Sequence, residues 1–310
     1  MPIIVRAFRP EDAEDVAAVH RAAVPHQVRS PEAVVWDAFR SPAAMRRHRL
    51  VAVDEDGRVT GCADTGIDVE SAEPGHGFLL TEVRPDARGR GAGQVLTAAA
   101  ETRLASLGVT AVHSRVADDG CSPGFAERRG YLRGGPVRYL ALDLAEAVLP
   151  EPRAPLPPGT ELRTAAAFTG DLRPLYEADV ECVADEPGDM VVAPVPFEDW
   201  LLLNWARPDF DADLTTVALV DGAVAAYSVA QVDGRDRYWS GMTGTRRAFR
   251  GRGLARLAKT ASLRRARAAG YRHAFTGNDA DNRPMLAVNA RLGYRPAAMQ
   301  WRCVKRLPPR

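Results

Sequence analysis

The sequence is short of cysteine, of long apolar runs and of surplus charge. Its four cysteines, Cys62, Cys121, Cys182 and Cys303, lie far apart, with no Cys-x-x-Cys pair and no His/Cys cluster at zinc spacing. That excludes a disulfide scaffold and a structural zinc site, predicts no metal centre, and fits free thiols in a reducing compartment. No apolar stretch approaches the roughly 18 residues of a membrane span. The opening MPIIVRAFRPEDAEDV has no basic segment followed by an apolar one, so no signal peptide is read there. The expected location is cytoplasmic, away from membranes. Basic and acidic residues number 41 and 40, a net charge of +1, which argues against a general nucleic-acid binder. What is present is ordinary globular material. With 310 residues and 46% hydrophobic content, the chain is long enough for two domains.

The chain is written twice. LPEPRAPLPPG, 149–159, carries Pro150, Pro152, Pro155, Pro157 and Pro158. Proline fixes φ and removes amide donors, so the run reads as a semi-rigid linker. The expected division is an N-terminal domain over 1–149, a linker over 150–159 and a C-terminal domain over 160–310. The halves match in order. An acidic helix candidate comes first: EDAEDVAAVHRAA, then DLRPLYEADVECV. A strand–turn–strand signal around Asp-Gly follows: LVAVDEDGRVTGCA at 50–63, then TVALVDGAVAAYSV at 216–229. An arginine–glycine turn then opens an apolar-periodic helix: DARGRGAGQVL at 86–96, then FRGRGLARLAK at 249–259. Gly-Tyr closes each half, in ERRGYLR and ARLGYRP. Five features in the same order make a duplication. Each half reads helix, three strands, helix, strand, helix, strand, an α/β pattern with a mixed sheet.

A helix N-terminus exposes unpaired amides and partial positive charge. Glycines before it admit a ligand close to the backbone, and successive amides there form an anion nest. Arginines at the mouth add charge-assisted contacts. The ligand such a turn suits is a phosphate or diphosphate. Walker spacing and the dinucleotide G-x-G-x-x-G are both absent; the two turns share R-x-x-G-x-[GA], as Arg88-Gly91-Gly93 and Arg250-Gly253-Ala255.

The string R-G-x-G-x-[GA] after a strand, with Gly-Tyr some forty residues on, resembles the GNAT superfamily of N-acetyltransferases. The second half adds TGNDADNRPMLAVNARLGY, 276–294, similar to the T-x-N-x-x-x-N-x-x-M-x-x-x-N-x-x-L-G-[FY] ending of one GNAT branch; the first half keeps only GFAERRGY, 124–131. The resemblance implies two tandem GNAT domains. Each would be a mostly antiparallel mixed sheet flanked by helices, with its fourth and fifth strands splayed into a cleft. It implies acetyl-CoA as acyl donor, its diphosphate held by Arg88, Gly89, Arg90, Gly91, Ala92 and Gly93 and by Arg250, Gly251, Arg252, Gly253, Leu254 and Ala255. Backbone amides near Val83 and Thr245, on FLLTEV and WSGMTGT, would serve the pantetheine and the thioester carbonyl. Asn278, Asn282 and Asn289 would contact coenzyme, with helix capping by Asn282 and plain surface exposure of Asn289 as the alternative.

Acyl transfer to an amine needs a deprotonated amine, a polarised carbonyl and a proton for the thiolate. Glu82 on the splayed strand is the candidate base, with Asp64 on the neighbouring strand. Many GNAT enzymes supply the acid from a tyrosine four residues before Gly-[Phe/Tyr]. Here those positions hold Ala126 and Asn289. Asn289 and the nearby Tyr294 complete the candidate catalytic set, with aromatic packing as the alternative for Tyr294. The acidic run EADVECVADEPGD, 177–189, is expected at a substrate lid, and the second half's tryptophans in core and lid packing. The histidines form no readable constellation. The reading that follows is an acetyl-CoA-dependent N-acetyltransferase of a small-molecule amine, monomeric or homodimeric, with catalysis in the C-terminal domain. The alternatives are a non-catalytic acetyl-CoA-binding module and a protein lysine acetyltransferase.

Overall fold

The computed structural model describes residues 3–151 and 156–308, so Pro152 and Pro155 of the proline run lie outside the described residues. Two compact units emerge. The first takes Met1–Val137, Gly188–Val195 and Ala298–Arg310; the second takes Arg138–Pro187 and Pro196–Ala297.

The sheet of unit 1 runs β1 (Ile4–Ala7), β2 (His48–Val53), β3 (Val59–Ile67), β4 (His76–Val83), β5 (Ala111–Ala117) and then β12 (Arg295–Arg306), of which Ala298–Arg306 belongs to this unit. Every pair is antiparallel except β4 with β5. Helices α1 (Ala13–Ala23) and α2 (Pro31–Phe39) pack through Val16, Val19 and Val34 against Val51, Val59 and Cys62. Helix α3 (Ala92–Ser106) packs through Leu96, Ala100 and Leu104 against Leu50, Ala63, Leu79 and Val112, with Cys303 and Leu307 in the same core. α4 (Ser122–Arg128) follows β5.

Unit 2 repeats the plan. Its sheet runs β6 (Leu132–Asp143, from Arg138 on in this unit), β11 (His273–Asp279), β10 (Arg237–Thr245), β9 (Ala223–Val232), β8 (Thr216–Val220) and β7 (Thr160–Thr164), and β10 with β11 is parallel. Helices α5 (Arg173–Val183), α6 (Phe197–Trp200) with a π-turn over Leu201–Trp205, α7 (Leu254–Ala268) and α8 (Arg283–Arg291) complete it. Leu263, Ala266 and Ala274 of the core meet Leu140 and Leu142 of β6 and Leu144 just after it.

Two features differ from the pattern read in the sequence. Each half begins with an edge strand, β1 or β7, which reads IVRA or TELRT. Such short pieces show no apolar alternation, because only one neighbour pairs with them. The last strand of each half also lends residues to the other unit, so the final strand of the chain completes the first unit's sheet. The hairpin signals hold. Asp221 and Gly222 both take positive φ, 49° and 82°, the backbone a tight two-residue turn requires.

Candidate active site

The cleft strands leave their parallel partners early. β4 pairs β5 only at His76, Gly77 and Phe78, yet stays paired with β3 as far as Val83. β10 pairs β11 only at Arg237, Tyr238 and Trp239, yet follows β9 to Thr245 through a bulge between Ser240 and Thr243. Each unit therefore holds a splay whose free strand edge runs straight into the arginine–glycine turn. Unpaired strand amides in a concave place are the donors an extended ligand would use.

The turns themselves are the same object. Gly89 and Gly91 have φ of 76° and 94°, and Gly251 and Gly253 have 77° and 75°. Gly91 and Gly253 are the residues that start α3 and α7. An L side chain is strained at such φ, which is why glycine stands there. A Cβ added at any of the four would meet no atom within 4 Å, so the concave side is open. Among the described residues, no backbone acceptor takes the amides from Gly89 to Gln94 or from Gly251 to Arg256. Six amides without a backbone acceptor around a helix N-terminus are donors that suit a diphosphate. Arg88 donates through Nε to Val83 O at 3.4 Å, and Arg250 to Thr245 O at 3.1 Å, so the same bond ties each turn to its cleft strand. Arg88 pairs with Asp119 at 2.8 Å, and Arg250 with Asp185. Arg90 and Arg252 are exposed beside them.

The acidic run of unit 2 does not form a free rim. Glu181 accepts from Arg246 Nε at 2.8 Å and from the Arg247 amide at 2.6 Å, and Asp185 binds Arg247 at 2.6 Å as well as Arg250. Hydrogen bonds from Arg247 and Arg250 hold the Asp185 carboxyl well below its usual range. These carboxylates brace the turn. Asp179 is half-buried instead, accepting from Tyr227 Oη at 2.6 Å and Trp200 Nε1 at 2.8 Å. Burial raises its pKa, outweighing those two bonds. Trp200 continues into a run of rings with Tyr176, Phe197, Trp205 and Phe210.

The remaining candidates fall in distinct places. Glu82 is paired to His20 of α1, whose Nδ1 lies 2.9 and 3.0 Å from the two carboxylate oxygens. Burial alone would raise the Glu82 pKa, but His20, Arg29 and Arg49 outweigh it and hold the carboxyl below its usual value. Asp64 is gripped by Arg47 and Arg49, both at 2.6 Å, and is held ionised far below its usual value despite its burial. Held that far below the usual carboxylate range, Asp64 is a poor acceptor for an amine's proton. Asn282 caps α8, accepting from the Met285 amide at 3.3 Å. Asn289 is fully buried, not surface-exposed, and donates to Asn278 Oδ1 at 2.7 Å, while its own Oδ1 has no partner. Tyr294 lies in the core of unit 2, 3% exposed, with its hydroxyl enclosed.

Sequence reasoning missed two groups. The His20–Glu82 pair joins residues 62 positions apart, and only the burial of one helix face hinted that a histidine there would meet the sheet. Lys259 of α7 is wholly buried beneath the splay of unit 2. Its Nζ is 3.5 Å from Thr276 Oγ1 and 5.2 Å from the Tyr294 ring centre, and Thr276 Oγ1 donates to Ser240 O at 2.9 Å. Burial pushes its pKa down to about 7.

Known proteins agree with this geometry. The family model described as Acetyltransferase (GNAT) family matches residues 14–131 and 175–294, once in each half. The chain belongs to the GNAT family and is an N-acetyltransferase. A mycothiol acetyltransferase from Nocardioides sp. (strain ATCC BAA-499 / JS614) is 28% identical over 233 residues, covering 70% of this chain and 76% of that protein. Among solved structures, a tandem GNAT protein from the clavulanic acid biosynthesis pathway is similar over the whole of both chains, with TM-score 0.73 and 22% identity. A GCN5-related N-acetyltransferase from Sphaerobacter thermophilus gives TM-score 0.72 at 23% identity, covering 99% of this chain and 96% of that one. Among the described residues no helix is long and apolar enough to cross a membrane.

Proposed function

We propose that the chain transfers the acetyl group of acetyl-CoA to a small-molecule amine, with turnover in the cleft of unit 1. The observation that carries this reading is the position of Glu82. Of the two cleft strands, His76–Val83 and Arg237–Thr245, only the first carries a carboxylate. It stands one residue before Val83, at the edge where the strand runs into the cup. Its side chain keeps 18% exposure, enough to be reached by the narrow head of a small amine. Acetyl-CoA supplies the activated thioester. The amide cup and Arg88 and Arg90 hold its diphosphate, and the free edge of β4 orients the chain leading to the thioester. Glu82 takes the proton from the attacking amine, the new N–C bond forms and the C–S bond breaks. Coenzyme A is a fair leaving group near neutral pH, so the absence of a tyrosine at Ala126 does not block the step.

One arrangement favours the C-terminal unit instead. Asn278 of β11 and the buried Asn289 of α8 form an amide pair, and the longer GNAT-like string lies there. Under that reading unit 2 turns over and unit 1 supports it. An amine panel with acetyl-CoA, followed by free-thiol release, tests both. Gly91→Glu is expected to abolish release and Gly253→Glu to spare it. The reverse pattern moves the reaction to unit 2. Coenzyme binding without release under any amine leaves a binding module.

A further inference from the structure

Residues 16, 19 and 20 of α1 are buried together, so His20 faces the sheet on the same stripe as Val16 and Val19. Opposite it, Cys62 and Glu82 are register partners on β3 and β4, and so share one face of the sheet. The result is a three-residue cluster. His20 Nδ1 reaches both Glu82 oxygens, and Cys62 Sγ lies 3.9 Å from Oε2. The histidine side chain is 5% exposed and the carboxylate 18%, so the carboxylate is the end that faces solvent. Apolar packing alone does not account for this histidine. A leucine would fill the same stripe without leaving Nε2 buried and unpartnered, as it is here. An ionised carboxylate can only accept, so Nδ1 carries the proton and donates it to Glu82.

We propose that His20 is a positioning residue of the unit 1 cleft: through Nδ1–H it fixes the orientation of the Glu82 carboxylate and keeps it ionised to receive the amine's proton. The inference rests on the reading that Glu82 is the base. The charged and titratable groups around the carboxylate are His20 from α1, Arg29 from the segment before α2, Arg49 from β2 and Cys62 from β3, with Asp64 next along. The two arginines are already committed to Asp64 and Asp37. His20 is therefore the group whose hydrogen bond goes to Glu82 itself. Unit 2 shows what happens without the pair. There the residue equivalent to Glu82 is Gly244, and a Cβ on it would meet Cys182 Sγ at 2.6 Å, so a thiol occupies the space the carboxylate takes in unit 1.

The test uses the full chain and two readouts. His20→Leu is expected to lower kcat at least tenfold, with KM for acetyl-CoA within twofold, and to move the acid limb of the pH–rate profile upward, because a partly buried carboxylate loses its donor. His20→Asn, whose amide N–H can replace Nδ1–H, is expected to restore most of kcat and the original limb; His20→Ala replaces the leucine variant should that one fail to fold. A leucine or alanine variant with unchanged kcat and unchanged acid limb overturns the proposal. Independently of turnover, the His20 ring is followed by NMR. Glu82→Gln is expected to move the Nδ1–H proton resonance upfield, since the donor loses its charged acceptor. No change on Glu82→Gln shows that the pair does not form, and the proposal falls. An Nδ1–H resonance that responds to Glu82→Gln in a protein that releases no thiol with any amine overturns instead the assignment of Glu82 as base, and with it the catalytic purpose of the pair.

Discussion

Unit 1 and unit 2 share a splay, a cup and the arginine that ties them, and they part company one residue before the end of the cleft strand. Unit 1 places Glu82 there, paired with His20 and flanked by Cys62; unit 2 places Gly244 there, with Cys182 filling the gap and Tyr227 standing where Cys62 does. The cups are braced by different carboxylates, Asp119 in one and Asp185 in the other. The backbone that would bind a coenzyme is thus retained twice, while the side chain that would move a proton is retained once. Duplication keeps what depends on main-chain geometry more readily than what depends on a single side chain.

The largest expected effect breaks the comparison at that side chain. Glu82→Gln is expected to lower kcat by about 10²–10⁴-fold, the usual worth of a positioned general base, with acetyl-CoA affinity unchanged. Stopped-flow thiol release and calorimetry measure the two quantities separately, and full activity in the variant would transfer the chemistry to unit 2. Next comes the last strand. Removing residues 298–310 takes away seven register pairs with β5 and the core residues Cys303 and Leu307. A domain is stable by only about 5–15 kcal/mol, so unit 1 is expected to lose its cooperative unfolding transition while unit 2 keeps one. Calorimetry of the 1–297 chain reads this, and two intact transitions would contradict it.

A smaller effect sharpens the contrast from the other side. Lys259 has no counterpart charge near it, and burial alone pushes its pKa from 10.5 to about 7. Between these values the unfolded chain binds a proton that the folded chain does not. Stability of unit 2 is therefore lowest and flat below about pH 7, rises from there, and levels off above about pH 10.5. Lys259→Met should remove that slope and stabilise unit 2 by a few kcal/mol at pH 6.5. Urea unfolding at pH 6.5 and 9.5 distinguishes the outcomes, and an unchanged slope in the methionine variant would refute the assignment. The smallest effect is at Tyr294. Its hydroxyl is buried beside Ser240, so Tyr294→Phe is expected to leave thiol release unchanged and to shift stability by no more than about 1 kcal/mol. A loss of turnover would return Tyr294 to the catalytic set.

The cups were legible in the sequence because they are local, whereas the splays came only as what the resemblance to GNAT proteins implies. Glycine and arginine at fixed spacing before an apolar period specify a turn and a helix start, whatever the rest of the fold does. Asp221-Gly222 was legible for the same reason. What stayed hidden was long-range. Nothing in AEDVAAVHRAA announces that its histidine will meet a glutamate from β4. Nothing in RPAAMQWRCVKR says that its strand pairs with β5 of the other half. Lys259 sits in ARLAKTASLRR, where a lysine reads as solvated, and only the packing of α7 on its sheet buries it. The arginine partners of the acidic run stayed hidden by the same logic. Glu181 and Asp185 read as a substrate rim but bind Arg246, Arg247 and Arg250, an association set by tertiary contact.

The claim on which the rest depends is that two amide cups each hold one molecule of acetyl-CoA. Isothermal titration of the chain with acetyl-CoA, alongside Gly91→Glu, Gly253→Glu and the double variant, tests it most directly. The account predicts two sites in the wild type, one in each single variant and none in the double, because a carboxylate in the cup opposes the diphosphate and the backbone there disfavours any side chain. A double variant that still binds two molecules with wild-type affinity would contradict it.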